Sequence, residues 1–243
     1  MAIARLGVKY WAVMAAQTLG RGPLAMWSAA RGQMAAVEQH QARWARAQLD
    51  AVQTRVHVSG AAHVQPGQPY VIVANHQSNF DPLVLFADVP TGMTYVAKRE
   101  LLKVPIFGAI IRRTGAVFVD RGDSGKAVAA MQAAADRVRA GQSVLVFPEG
   151  TRSRDGQLQP FKKGGFWLAQ QAGVPILPVV LRGTADVLPY GARVPRTQRA
   201  VHVTILPPVP TAGTDREGLV AAVHAQMAAV LRRDDAAAGD GSD

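Results

Sequence analysis

The sequence predicts an α/β fold, a mostly parallel sheet of about seven strands flanked by helices and preceded by an N-terminal amphipathic helix pair. Three observations carry that expectation. Short apolar runs rich in β-branched residues recur from residue 54 onward. Between them lie stretches with helical spacing of apolar residues. The first fifty residues, in contrast, show helical spacing alone.

In residues 2–19, Ile3, Leu6, Tyr10, Val13 and Met14 recur at intervals of three and four. Val8, Trp11 and Leu19 widen this face and leave a narrow polar strip through Arg5 and Lys9. Gly20-Arg21-Gly22-Pro23 is expected to break the helix. A second helical stretch, 24–52, carries Leu24, Met26, Trp27, Met34, Val37 and Trp44 together with Arg31, Arg43 and Arg46. Trp and Tyr beside Arg and Lys suit a membrane interface. Residues 1–53 are therefore read as a monotopic or peripheral membrane-interface pair, in preference to a hairpin packed on its own core. A bilayer span needs about 20 mostly apolar residues, and Tyr10 to Gly20 is the longest uncharged run near the start. Lys9 falls where the apolar stretch of a signal peptide belongs, which argues against one.

Residues 54–233 are read as the α/β domain. Expected strands are 54–58, 69–74, 93–97, 115–119, 143–147, 175–181 and 201–206, and expected helices 81–87, 104–113, 124–140, 164–172 and 215–232. Gly141 gives the third of these helices a stop signal. Thr214-Asp215-Arg216-Glu217 reads as a capping box for the last. Residues 234–243 read as an acidic, flexible tail. In such folds the active site sits at the carboxyl ends of the strands.

Three strand ends carry chemistry. Val71-Ile72-Val73-Ala74 runs into Asn75-His76-Gln77-Ser78-Asn79-Phe80-Asp81-Pro82, a strand, a tight loop and a helix start. In a continuous helix His76 and Asp81 would lie roughly 140° apart, and in a strand they would face opposite ways. Only a loop lets the carboxylate fold back on the imidazole. A histidine so held has a fixed tautomer and a stabilised imidazolium, as a general base requires. The run Gly115 to Val119 delivers Asp120-Arg121 to a second strand end, where a guanidinium grips phosphate in bidentate fashion. Ser143 to Phe147 delivers Pro148-Glu149-Gly150-Thr151-Arg152-Ser153 to the third. There Gly150 permits close backbone approach, Thr151 offers a hydroxyl and Arg152 a second cation. Glu149 either holds a substrate hydroxyl or pins the arginines. Val174-Pro175-Ile176-Leu177-Pro178-Val179 is a buried strand walling an apolar pocket. A base dyad beside two arginines calls for an acceptor with both a hydroxyl and a phosphate.

Composition narrows the chemistry further. Cysteine is absent, which excludes disulfides, thiolate metal sites and a cysteine nucleophile. The formal charge is +10, and residues 98–163 hold 13 Lys and Arg against 6 Asp and Glu. Such a surface attracts anions. Aromatic–basic interleaving is confined to the N-terminal helices, so nucleic acid is not expected as a partner. His40, His57, His63, His202 and His224 lack ligand partners at metal-binding spacing, and no metal is expected.

The four blocks between residues 75 and 179 resemble those of the glycerolipid acyltransferase superfamily. Asn75 to Asp81 looks like its His-x4-Asp motif, Gly115 to Arg121 its second block, Phe147 to Ser153 its Pro-Glu-Gly-Thr-Arg-Ser block and Val174 to Val179 its proline-containing fourth. The nearest likeness is to bacterial 1-acyl-glycerol-3-phosphate (lysophosphatidate) acyltransferases. The resemblance implies that His76 deprotonates the sn-2 hydroxyl of a lysophosphatidic acid while Asp81 orients it. The alkoxide then attacks an acyl-CoA or acyl-carrier-protein thioester, with no acyl-enzyme and no cofactor. Arg121 and Arg152 are assigned to the acceptor phosphate, with Glu149, Gly150 and Thr151 shaping that pocket. Backbone N–H groups near Ser78 or Gly150, or the side chain of Lys98, are the candidate oxyanion donors. The implied location is the cytoplasmic face of the cell membrane, where the lysophospholipid acceptor resides. The same chemistry on lyso-ornithine lipid, glycerol 3-phosphate or another lysophospholipid is the nearest alternative. A non-catalytic binder of anionic lipid is the alternative of a different class.

Overall fold

The computed structural model describes residues 2–119 and 124–239. Helix α1 (Ala2–Ala30) and α2 (Met34–Ala51) are followed by β1 (Arg55–Ser59), β2 (Val71–Ala74), α3 (Asp81–Asp88) and β3 (Met93–Lys98). Next come α4 (Phe107–Arg113), β4 (Val117–Val119), α5 (Ser124–Arg139), β5 (Ser143–Val146) and α6 (Gly164–Ala172). The chain continues through β6 (Ile176–Arg182), α7 (Thr184–Val187), β7 (Ala200–Ile205) and α8 (Arg216–Gly239). The sheet has seven strands in the order β1-β7-β6-β2-β5-β3-β4. Every pairing is parallel except β6 with β7, so β1 and β7 run against the other five.

Each central strand is apolar on both sides because helices cover both faces of the sheet. Ile72 and Ala74 of β2, Leu145 of β5 and Leu177, Val179 and Leu181 of β6 join one core, which also holds Tyr10, Ala45, Leu49, Val84 and Leu85 from α1, α2 and α3. Val71, Val73, Val144, Val146, Ile176 and Val180 face the other core, with Ala134, Val138, Phe166, Leu219 and Val223 from α5, α6 and α8. This alternation is the period of two expected for strands.

The N-terminal pair does not break where the glycines and Pro23 suggested. Helix α1 passes through Pro23, and the turn comes at Gly32, where φ is +71°, a value glycine adopts without strain. Pro23 removes one bond to the carbonyl of residue 19. Packing along α2 holds the helix together, with the indole N–H of Trp44 donating to the Thr18 hydroxyl at 3.0 Å. The inner face of the pair is built into the main core: Tyr10 stacks on Phe80 at 5.8 Å between centroids. Two further differences concern α8. Its cap is Asp215, whose carboxylate accepts the Gly218 N–H at 2.9 Å, while Glu217 pairs with Lys163 instead of closing a box with Thr214. The helix also runs on to Gly239, through most of the segment read as a flexible tail.

Candidate active site

The site is built on β2, β5 and β3, which are neighbours in the sheet and end at the same edge. At the end of β2 the chain turns tightly before α3. The Asp81 side chain does not cap α3; it reaches back into the turn. Its Oδ2 accepts the N–H groups of Gln77 and Ser78 at 2.7 and 2.8 Å, and His76 Nδ1 lies 2.7 Å from the same oxygen. An ionised carboxylate can only accept, so Nδ1 carries a ring proton, and in the neutral imidazole Nε2 is then the nitrogen with the lone pair. Asp81 is fully buried, whereas 19 % of the His76 side chain is exposed. One face of the imidazole lies on Phe147 at 4.1 Å between centroids, which fixes its rotation.

The loop after β5 is fastened to the loop after β2. Glu149 Oε1 accepts the His76 N–H at 2.6 Å and Oε2 accepts the Gln159 N–H at 3.0 Å. In return the Ser153 N–H donates to the His76 carbonyl at 2.7 Å. Burial pushes the Glu149 carboxyl above the usual range, and the two N–H donors and the nearby imidazole oppose that rise in part. The backbone turns through Pro148 and Glu149, with the Gly150 N–H returning to the Phe147 carbonyl at 3.1 Å. Gly150 has φ of +74°, and a Cβ there would lie 2.8 Å from Lys162 Nζ. Asn75 secures the other side. Its amide donates to the Leu181 carbonyl at 2.9 Å and accepts the Leu181 N–H at 2.7 Å.

Beside His76 opens a cavity of about 620 Å³. Gly150, Thr151, Arg152 and Tyr190 line it near the histidine, and Lys98 lines it at the end of β3. Leu83, Phe86, Phe107, Ile110 and Ile111 make its walls apolar, and it extends to Thr18, Ala25, Val37 and Trp44 of the helix pair. His40 also lines it; burial first, then the charges of Arg21 and Arg43, hold its pKa below the ordinary value. Arg152 and Arg154 both lie over the Tyr190 ring, at 4.8 and 5.0 Å from its centroid. Among the described residues no group of three metal-ligating side chains converges.

Not every residue expected from sequence sits as expected. His76 and Asp81 are together, and Gly150, Thr151, Arg152 and Lys98 share their cavity. Glu149 is not among the cavity-lining residues and instead braces two backbone segments, because both its oxygens are engaged. Ser78 is excluded as an oxyanion donor: its N–H is spent on Asp81 and its hydroxyl on the Leu188 carbonyl at 2.8 Å. The Gly150 N–H is likewise spent within its turn. Arg121 lies outside the described residues. The strand that precedes it, β4, is the sheet edge, two strand spacings (roughly 10 Å) from β5. Sequence reasoning gives no role in the site to three contributors. Phe147 reads as a strand end and Asn75 as a turn former. Tyr190 lies beyond all four blocks and gave no signal.

Comparison with known proteins places the chain among relatives. The chain is 41 % identical over 183 residues to the human protein named 1-acyl-sn-glycerol-3-phosphate acyltransferase alpha, a match covering 73 % of this chain and 64 % of that one. It is 38 % identical over 149 residues to the 1-acyl-sn-glycerol-3-phosphate acyltransferase of Saccharomyces cerevisiae, covering 59 % and 48 %. The chain thus spans under two thirds of the length of these relatives. The crystal structure of the 1-acyl-sn-glycerophosphate (LPA) acyltransferase PlsC from Thermotoga maritima superposes with a TM-score of 0.84 at 27 % identity, over 96 % of each chain. The model of the Acyltransferase family matches residues 55–182, from the first residue of β1 to the last of β6 and so over more than half of the sequence; the chain belongs to the acyltransferase family.

Proposed function

We propose that this protein transfers a fatty acyl group from an acyl thioester to the sn-2 hydroxyl of lysophosphatidic acid, yielding phosphatidic acid. The observation that carries the reading is the Nδ1–Oδ2 contact of 2.7 Å between a fully buried Asp81 and His76, which lines a largely apolar cavity. His76 Nε2 takes the proton of the acceptor hydroxyl, and the oxygen attacks the thioester carbonyl. The tetrahedral intermediate collapses with cleavage of the C–S bond, and the departing thiolate recovers the proton from His76. Asp81 holds the tautomer and stabilises the imidazolium between these events. General-base help of this kind contributes about 10²–10⁴ in rate.

Arg152, which lines the cavity, suits the acceptor phosphate, and by family resemblance Arg121 joins it. Lys98, which lines the same cavity, is the remaining side-chain candidate for the oxyanion. The apolar walls suit the acyl chain. The donor is acyl-CoA or acyl-carrier protein, with no further cofactor. Tyr10, Ala45 and Leu49 tie the helix pair to the core, while Val8, Trp11, Leu19, Leu24 and Trp27 face outward, exposed. These exposed apolar residues support peripheral or monotopic docking on the cytoplasmic side of the cell membrane; no described helix is long and apolar enough to cross one. The test is acyl transfer by the purified protein onto lysophosphatidate and onto lyso-ornithine lipid, with CoA and carrier-protein thioesters in parallel. Turnover of lysophosphatidate supports the assignment, and turnover of lyso-ornithine lipid alone removes it.

A further inference from the structure

The segment between β3 and α4 exposes apolar side chains that the fold does not need. Residues 98–113, Lys-Arg-Glu-Leu-Leu-Lys-Val-Pro-Ile-Phe-Gly-Ala-Ile-Ile-Arg-Arg, hold five basic residues against one acidic. A 3₁₀ turn over Arg99–Lys103 leads to Val104, which is 44 % exposed, and Ile106, which is 56 % exposed. Ile106 has φ of +64° and ψ of −58°, and the Phe107 N–H donates across it to the Pro105 carbonyl at 2.6 Å. This is the rare, strained form of the γ-turn. A β-branched residue at positive φ is costly, and with more than half of its surface exposed this one gains little burial in return. Strain of that sort points toward a role outside the folding of the chain itself.

The surroundings indicate what covers Ile106. Leu101, Phe107, Ile110 and Ile111, on the same segment and on α4, line the cavity that reaches His76. Helix α1 packs closely on α4 here, since a Cβ on Gly22 would collide with Ile110 Cδ1. At about 100° per residue, Val8, Trp11 and Leu19 fall within roughly 60° of Gly22 around α1, and all three are exposed. The apolar stripe of α1 therefore runs up to α4, and the exposed residues Val104 and Ile106 lead into the start of that helix. Lys98, Arg99 and Lys103 precede those two residues in the chain, Arg112 and Arg113 follow at the end of α4, and all five are exposed. Exposed apolar residues flanked in the chain by exposed basic ones match an anionic lipid surface: the first enter the acyl boundary and the second meet the headgroups.

We propose that residues 99–107 form a second membrane-inserting element, with Ile106 at its tip, which together with α1 seats the cavity mouth on an anionic bilayer. The proposal rests on the membrane reading above and extends it to a segment outside the helix pair. Its consequence is a short lateral path for a lipid chain between the bilayer and the cavity, past α1 and α4.

Because the chain has no cysteine, single cysteines can be labelled without background. The variants are Trp11→Cys on α1, Val104→Cys and Ile106→Cys at the tip, and Val128→Cys on α5, whose helix packs on the opposite face of the sheet. Each carries an environment-sensitive fluorophore and is mixed with vesicles of phosphatidylcholine and phosphatidylglycerol containing lipids brominated on the acyl chain. The expected result is a blue shift with quenching at 11, 104 and 106 and neither at 128. If 11 is quenched while 104 and 106 stay in water, the helix pair docks alone and the proposal falls while the membrane reading stands. If all four stay in water, both fall. A shift at 106 that grows with protein concentration in the absence of vesicles assigns the patch to a second copy and also overturns the proposal. Ile106→Asp is expected to weaken sedimentation with vesicles by about tenfold or more. Ile106→Gly separates the two roles: it relieves the turn, so Tm holds or rises while vesicle binding drops. A lower Tm with unchanged vesicle binding shows that the side chain serves the fold and not the membrane.

Discussion

Replacing Asp81 by asparagine tests the dyad with little change of shape. Oδ2 of Asp81 receives three N–H groups within 2.8 Å, from Gln77, Ser78 and His76, whereas Oδ1 is buried with no partner. Two of the three donors belong to the backbone and cannot turn away. They force the carbonyl of the introduced amide into the Oδ2 position and its NH₂ into the slot of Oδ1. The tautomer of His76 survives, and two things are lost. A buried NH₂ without an acceptor costs about 1–3 kcal/mol. At roughly 2–4 °C per kcal/mol for a chain of this size, Tm falls by about 2–12 °C. The negative charge that stabilises the imidazolium is also gone, so kcat falls by about 10²–10⁴ with KM for both substrates nearly unchanged. Release of free thiol from acyl-CoA in the presence of lysophosphatidate reports kcat, and thermal unfolding reports Tm. An Asp81→Asn protein that folds and keeps the wild-type kcat would refute the reasoning, because the carboxylate would then serve the loop alone.

Arg152→Met should reduce kcat/KM for lysophosphatidate by about 10–150-fold, the worth of a charge-assisted hydrogen bond, yet leave an acceptor without phosphate unaffected; equal losses on both would remove Arg152 from the phosphate site. Glu149→Gln leaves one of two buried N–H groups facing an NH₂ and should lower Tm by about 2–12 °C at neutral pH. The pH dependence has a definite sign. The folded-state pKa of Glu149 is raised, so its contribution to stability is present below the unfolded value and is lost as pH rises through the folded one. Chemical denaturation from pH 4 to 7 should therefore show the gap between wild type and Glu149→Gln narrowing as pH rises; a widening gap contradicts the assigned shift. Gly150→Ala forces an L-residue to φ of +74° with its Cβ against Lys162. A cost of about 1–3 kcal/mol follows, read as a lower denaturation midpoint, and an unchanged midpoint would mean that the turn can relax.

Much of this architecture is legible in the sequence because strands buried on both faces are short runs rich in apolar, β-branched residues. Val71 to Ala74 and Ser143 to Val146 illustrate this. The contact between His76 and Asp81 is legible for a related reason: neither a continuous helix nor a continuous strand brings the two together, and the turn formers between them favour a loop. The errors arise where tertiary packing outweighs a local signal. Pro23 reads as a helix breaker, yet the bond it removes is one loss among many contacts with α2, so α1 continues to Ala30 and the chain turns at Gly32. Thr214 to Glu217 reads as a capping box, yet it is Asp215 that takes the Gly218 N–H, while Glu217 pairs with Lys163. Glu149 reads as a ligand of a substrate hydroxyl or a pin for the arginines, because a carboxylate in a catalytic block suggests either. The decisive fact, that its two oxygens meet the N–H groups of His76 and Gln159, depends on the approach of two loops distant in sequence. Sheet order is invisible for the same reason. The blocks follow one another along the chain, but β2 and β5 are neighbours while β4 lies at the edge. Tyr190, held by neither periodicity nor motif, enters the site only through the fold.

The most direct measurement compares wild type and His76→Ala, each purified and matched in thermal unfolding, for the rate at which acyl-CoA and lysophosphatidate become phosphatidic acid. Histidine acting as the base in the cavity predicts transfer by the wild type and a loss of at least about 100-fold in the variant, with the melting curve little changed. Equal rates for the two proteins would contradict the account and require some other group to take the hydroxyl proton.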